Sequence, residues 1–277
     1  MTDMTDVTVH ATVGREAAGA RRAGFAADVA TLGRRAVILM SRDLAGVIPA
    51  IVVPLFFFVV NVGSLQDQTE RAFPGLDFKA FQLPVAIVFA VTGISRASNL
   101  VVDIEQGYFD RLTITPIRRS ALLLGLMVAD VVLVVALSVP VVVLGLLVGV
   151  DFATGAAGMV AFVALGGLWG LAYTGFPYAI ALKTGSPAAV NSSFILFFPF
   201  AFLTTTFAPK EALTGWLSTV ADYNPVTYLL VGLRSLVSDG WDGSAMLQAL
   251  AAIVGVGVIS QLLAMAALRG RLRSGGR

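Results

Sequence analysis

The sequence contains no cysteine and one histidine, His10, among 277 residues. Disulfide frameworks, thiolate metal sites and histidine-dependent hydrolase triads are therefore excluded, and no His, Cys and carboxylate cluster has metal-site spacing. Lysine is scarce too: Lys79, Lys183 and Lys210 are the only three, and none follows a glycine. A phosphate-cradling loop of the Gly-Lys-Ser/Thr type is thus missing, and the chain is not expected to bind ATP by that motif. Charge of either sign is thin. Charged residues make up 13% of the chain against 57% hydrophobic, where a soluble domain carries roughly 25% charged. So few charges cannot cover a water-facing surface of this size, so much of the chain must have lipid as its solvent.

What is present is a series of apolar runs. Residues 1–20 are polar, small and unpatterned, as expected of a disordered tail that carries no cleavable signal-peptide pattern. From Arg21 to residue 43 a helical period appears. Phe25, Val29, Leu32, Ala36 and Leu39 share one face, with Asp28, Arg35 and Arg42 on another. This pattern predicts a helix in the membrane interface, an ordinary amphipathic helix being the plainer alternative. Apolar runs over 44–63, 81–102, 120–150, 156–182, 188–207 and 246–268 predict six transmembrane helices in an all-α integral membrane protein. The third, interrupted by Asp130 and Pro140, reads as one long span. The fourth is rich in glycine (Gly166, Gly167, Gly170 and Gly175), which lets helices approach closely in lipid.

Between the fifth and sixth runs, Asn224-Pro225 has the form of a helix cap followed by proline at the first helical position. The apolar stripe that follows ends at Ser238 and is too short to cross a bilayer, so a re-entrant or interfacial helix is expected. Fourteen of the nineteen Lys and Arg residues fall on one side of this layout, including Arg35, Arg111, Lys183, Arg271 and the basic tail 269–277. The asymmetry predicts that both termini are cytoplasmic.

The charged segment after the second run reads DIEQGYFDRLTITPIRRS from Asp103 to Ser120. Glu105 to Arg111 is long enough for one or two helical turns, which Pro116 would stop. The stretch EQGYFDRLTITPIRRSALLLGLMVAD, Glu105–Asp130, resembles the signature of type-2 ABC exporter permeases. The nearest likeness is to the daunorubicin-resistance-type subgroup of bacterial drug and lipid exporters. Glu105, Gly107, Asp110, Arg111, Pro116 and Arg119 carry the match, and Asn224-Pro225-Val226-Thr227-Tyr228 with Arg234 supplies a second.

The resemblance implies a six-span permease in the bacterial plasma membrane, over residues 44–268. Nucleotide chemistry would lie elsewhere: the chain would be no enzyme and carry no cofactor, with ATP and Mg on two copies of a cytosolic ABC ATPase subunit. Asp103–Thr113, with Tyr108, would form the coupling helix that docks on the ATPase, and the 21–43 helix with Phe25, Asp28 and Arg35 would be the connecting helix. Asn224, Pro225, Tyr228 and Arg234 would belong to an outer re-entrant helix. A second permease copy, identical or paralogous, would complete the transporter and place the second and fifth spans at a central pathway. Nucleic acid has no role in this scheme.

Several residues admit two readings. Asp130 lies in an apolar run, where a carboxylate costs at least ~2.5–3.5 kcal/mol on insertion scales. Pairing with Arg96 or Arg119 is the structural reading, and proton coupling in a secondary carrier is the functional alternative. Arg96 and Asn99, at the end of the second run, would meet substrate or the coupling segment. Asn191, Phe197 and Phe198 would line a pathway for a greasy substrate, or simply face lipid. The leading expectation is an ATP-driven exporter of a hydrophobic drug, antibiotic or lipid-like molecule.

Overall fold

The computed structural model describes residues 30, 31, 33–35, 37, 38, 44–92, 95, 97–107 and 119–274. Among these, all regular structure is helical. The described residues between 30 and 38 are helical, and nine α-helices follow. They are α1 (Leu44–Ala72), α2 (Phe78–Thr92), α3 (Ala97–Glu105), α4 (Arg119–Leu147), α5 (Gly155–Thr184), α6 (Pro187–Phe202), α7 (Gly215–Tyr223), α8 (Pro225–Arg234) and α9 (Gly243–Ser274). A 3₁₀ turn, Lys210–Ala212, precedes α7, and a π turn, Ser235–Asp239, extends α8.

The helix ends follow from local chemistry. The Asn224 side chain accepts from the Val226 amide at 3.0 Å, with Pro225 opening α8 as the sequence predicts. Ser186 caps α6 by accepting from the Ala189 amide, again with proline first. Asp242 accepts from the Ser244 and Ala245 amides at 2.8 and 3.2 Å and opens α9.

α2 is the centre of the bundle: every residue from Phe78 to Thr92 except Lys79 is buried. It packs against α1, α4, α5 and α8. The most extensive helix pair is α5 with α9. There a Cβ on Gly175 would lie 2.4 Å from the Ser260 carbonyl carbon, and one on Gly170 would lie 3.1 Å from the Val91 oxygen of α2. These glycines let backbones touch where lipid supplies no hydrophobic drive between helices. Gly167 plays no such part, since its Cβ would meet only a Val134 methyl at 3.8 Å.

Among the described residues, five segments are long and apolar enough to cross a membrane: Val47–Ala72, Phe78–Glu105, Asp130–Leu147, Gly155–Thr184 and Gly243–Arg271. The fifth expected span differs. α6 has 16 residues, which at 1.5 Å per residue is about 24 Å, short of a ~30 Å hydrocarbon core. It stops at Phe202, and beyond it the Leu203, Thr205 and Thr206 carbonyls accept from side chains instead of continuing the helix. The first helix runs to Ala72, through residues expected to be loop, because Gln66, Asp67, Glu70 and Arg71 pair at one-turn spacing. α9 continues through Arg269, Arg271 and Arg273, so the expected basic tail is helical as far as Ser274. Two short elements, the 3₁₀ turn and α7, had no periodicity that announced them. The expected tail at residues 1–20 lies outside the described residues.

Candidate functional site

The bundle has two chemically different ends. At one end α8 is pinned by side chains from three elements. Arg234 donates from Nη1 to Thr205 Oγ1 at 2.8 Å, from Nη2 to the Thr205 carbonyl at 2.7 Å and from Nε to the Phe81 carbonyl at 3.2 Å. Its guanidinium carbon also lies 3.5 Å from the Phe81 ring centroid. Asn224 donates to the carbonyls of Phe200 and Leu203 at 2.7 and 2.8 Å. Gln82 on α2 donates to the Thr206 carbonyl at 3.0 Å. Thr206 donates its hydroxyl to the Ala201 carbonyl, and Thr204 and Thr227 share a hydroxyl–hydroxyl bond.

These bonds answer a physical requirement. A helix that stops leaves its last carbonyls without intrahelical partners, and at membrane depth they need donors. Asn224, Thr206, Arg234 and Gln82 supply them at the end of α6. The π turn is held likewise. The Leu236 and Val237 carbonyls accept from Thr154 Oγ1 at 2.6 Å and the Ala153 amide at 2.8 Å. At the surface of this end, Lys210 pairs with Asp222 at 2.5 Å, and that hydrogen bond and charge raise the Lys210 pKa. Tyr228 donates to the Asp222 carbonyl at 2.5 Å.

The other end carries Arg35, Lys183 and the arginines of α9. Arg35 forms a two-pronged ion pair with Asp103, Nη1 to Oδ2 at 3.1 Å and Nη2 to Oδ1 at 3.0 Å, bridging 68 positions of sequence. It joins the N-terminal helical segment to the last turn of α3. That turn ends at Gly107, whose φ of +68° is a left-handed conformation glycine adopts without strain. Glu105 is therefore the last residue of α3, and the rest of the helix expected from Glu105 to Arg111 lies outside the described residues from position 108 on. Tyr108, Asp110, Arg111 and Pro116 lie outside the described residues, as do Phe25, Asp28 and Arg96. Ser98 donates to Asn191 Oδ1 at 3.1 Å, tying α3 to α6; Asn99 beside it is half-buried.

Inside the bundle, Asp130 is 1% exposed, and Tyr178 on α5 donates to its Oδ2 at 2.7 Å. A tyrosine hydroxyl from the neighbouring span is thus one partner of this carboxylate; Arg96 and the Arg119 side chain, its expected partners, lie outside what the structure describes. Phe197 does not line an open surface. It is 0% exposed and meets Phe89 and Tyr173 edge-on at 5.5 and 5.7 Å. Phe198 is 40% exposed and stacks on Phe202. Phe57, Phe89, Phe202 and Phe207 continue the cluster between α1, α2 and the end of α6. α2 itself is enclosed by its own chain.

Three consecutive threonines and Gln82 were not singled out by sequence, although a TTT run ending an apolar stretch was a usable signal. Tyr178 was invisible, since nothing local links it to Asp130 at a separation of 48 residues.

This arrangement is that of a polytopic helical membrane protein whose short helix α8 is pinned against the end of α6. Residues 27–237 match the family model described as ABC-2 type transporter, and the chain belongs to that family. It is 28% identical over 251 residues to the daunorubicin resistance ABC transporter permease protein DrrB1 of Streptomyces coeruleorubidus, covering 86% of this chain and 87% of that one. It is 22% identical over 236 residues to the probable doxorubicin resistance ABC transporter permease protein DrrC of Mycobacterium tuberculosis, covering 85% and 86%. The chain is a membrane permease of the ABC-2 type with drug-resistance relatives, and hydrolysis in such systems belongs to a separate ATPase.

Proposed function

We propose that this chain is the membrane-spanning subunit of an exporter that carries a hydrophobic drug, antibiotic or lipid-like molecule out of the bacterial cell. A separate ABC ATPase, present in two copies, docks at the basic end. The Arg35–Asp103 ion pair carries this reading. It ties the N-terminal helical segment to the base of the segment that reaches the ATPase, so that a push on either moves both. Family membership and the two relatives' names support the direction of transport and the class of cargo.

In this reading both termini are cytoplasmic, and the α8 end faces outward. α6 acts as a sixth, short span, completed by residues 203–206 and the helix α8 that pins them. Two permease copies form the transporter, and α6 with the exposed side of α3 lines the pathway between them. Asp130 and Tyr178 brace α4 against α5, which makes a proton-carrier role for Asp130 the weaker reading.

The test is to purify the chain from its native membrane in mild detergent and identify what accompanies it. A co-purifying P-loop polypeptide with ATPase activity is expected. A chain that arrives alone and moves substrate on a pH gradient without ATP contradicts the proposal.

A further inference from the structure

At the basic end, α5, α6 and α9 enclose a groove of about 730 Å³. Its body is apolar, with Ile180, Leu196, Leu263 and Ala266 among its walls, and its mouth carries Lys183 and Arg271. Among the described residues no carboxylate lines it. We propose that this groove holds one anionic phospholipid of the cytoplasmic leaflet. An acyl chain lies along the apolar walls, and the phosphate sits between Lys183 and Arg271.

Three observations carry the proposal. First, the charges are placed by helix geometry. α5 and α9 run in the same direction, with Ala172 beside Gly257 and Gly175 beside Ser260. Ile180 and Lys183 on α5, and Leu263, Ala267 and Arg271 on α9, therefore recur at helical spacing along two parallel stripes. Each stripe is apolar until its final turn and cationic there. Second, the mouth is built. Arg271 Nη1 donates to the Leu182 carbonyl at 3.3 Å and lies over the left-handed Gly185 that ends α5. This fixes the guanidinium beside Lys183, which is exposed. Third, the volume falls in the ~300–1,000 Å³ range of small-molecule sites, and basic pockets between spans on the cytoplasmic side suit anionic headgroups. Cations at helix C-termini also complement the helix dipole. That accounts for the two charges but not for the apolar groove above them.

The proposal uses the orientation proposed above only to name the leaflet. Its test reads lipid per chain in detergent and is independent of ATP-driven transport. Full-length chain is stripped of lipid and titrated, with native mass spectrometry as readout, against phosphatidylglycerol, phosphatidylcholine with the same acyl chains, and glycerol 3-phosphate. One phosphatidylglycerol per chain is expected, bound in preference to phosphatidylcholine. Lys183→Gln and Arg271→Gln should each weaken it about fivefold and leave phosphatidylcholine unchanged. Arg269→Gln and Arg273→Gln, whose side chains do not line the groove, should do little. Ala266→Phe, which fills the groove, should weaken both lipids.

Because Arg271 also holds the end of α5, the exposed Lys183 is the decisive variant, and melting of each lipid-free variant checks its folding. Equal binding of both lipids overturns the proposal. So does an unaltered Lys183→Gln variant, or an equal loss in Arg269→Gln and Arg273→Gln. Competition by glycerol 3-phosphate at lipid concentrations reduces the site to a phosphate contact. Ready displacement by a cationic amphiphile makes the groove part of the transport pathway instead.

Discussion

The two ends of the bundle are built on opposite principles. At the α8 end, a short helix that could not survive in lipid alone is fixed by a web of buried hydrogen bonds. Arg234, Asn224 and Gln82 each donate to at least one backbone carbonyl at or just past the point where α6 stops. At the basic end, the ties the structure describes join one helical element to another: the part-buried Arg35–Asp103 ion pair, the Ser98–Asn191 bond and the Arg271–Leu182 contact. The first set of bonds closes backbone where a helix stops, and the second ties helical elements to one another.

Changes that strike this contrast should differ in size. Arg234→Ala removes three hydrogen bonds and a ring contact and leaves the Thr205 carbonyl open, so it should destabilise the folded chain by about 3 kcal/mol or more. Arg234→Lys should recover only part of that, because an ammonium lacks the planar fork. Thermal unfolding in detergent reads both. Asn224→Ala loses the helix cap together with two carbonyl contacts and should cost about 2 kcal/mol by the same measurement. Tyr178→Phe, in the middle of the bundle, should cost about 1 kcal/mol. It should also leave transport insensitive to a pH gradient, as vesicle assays with and without the gradient would show.

Arg35→Ala should sit low on the stability scale, at about 1 kcal/mol, for a part-buried pair whose side chains are 36% and 14% exposed. A loss of stability comparable to that of Arg234→Ala would erase the contrast between the ends. Smallest is the effect of acid on the start of α9. The Asp242 carboxyl is held below its usual range by its bonds to the Ser244 hydroxyl and to the Ala245 and Ser244 amides. Its folded pKa is depressed, so its contribution is present above the ordinary carboxylate range and fades as pH falls through the lowered value. Asp242→Asn should make melting of the lipid-free chain slightly less sensitive to pH below about 4.

Much of the helical layout was legible in the sequence because hydropathy and capping are local. Asn224-Pro225 announces α8 without reference to any other element, and residues 120–150 read as one span despite Asp130 and Pro140. The stopping point of α6 was not legible. It depends on Asn224, Arg234 and Gln82 arriving from 21 to 124 positions away to satisfy carbonyls at Leu203, Thr205 and Thr206. The Phe197 reading failed for a similar reason. A phenylalanine in an apolar run looks the same whether it faces lipid, a pathway or Phe89. Arg35 and Asp103 each stood out, Arg35 on its own helix face and Asp103 at the start of a charged segment, but their pairing required the fold.

The most direct test of the account is a charge exchange at that pair in the permease assembled with its ATPase. Substrate-stimulated ATP hydrolysis and vesicle transport would be measured for Arg35→Asp, Asp103→Arg and the double exchange. The account predicts that either single change uncouples hydrolysis from substrate while leaving the chain folded, and that the double exchange restores coupling. Full stimulation and transport in both single variants would contradict it.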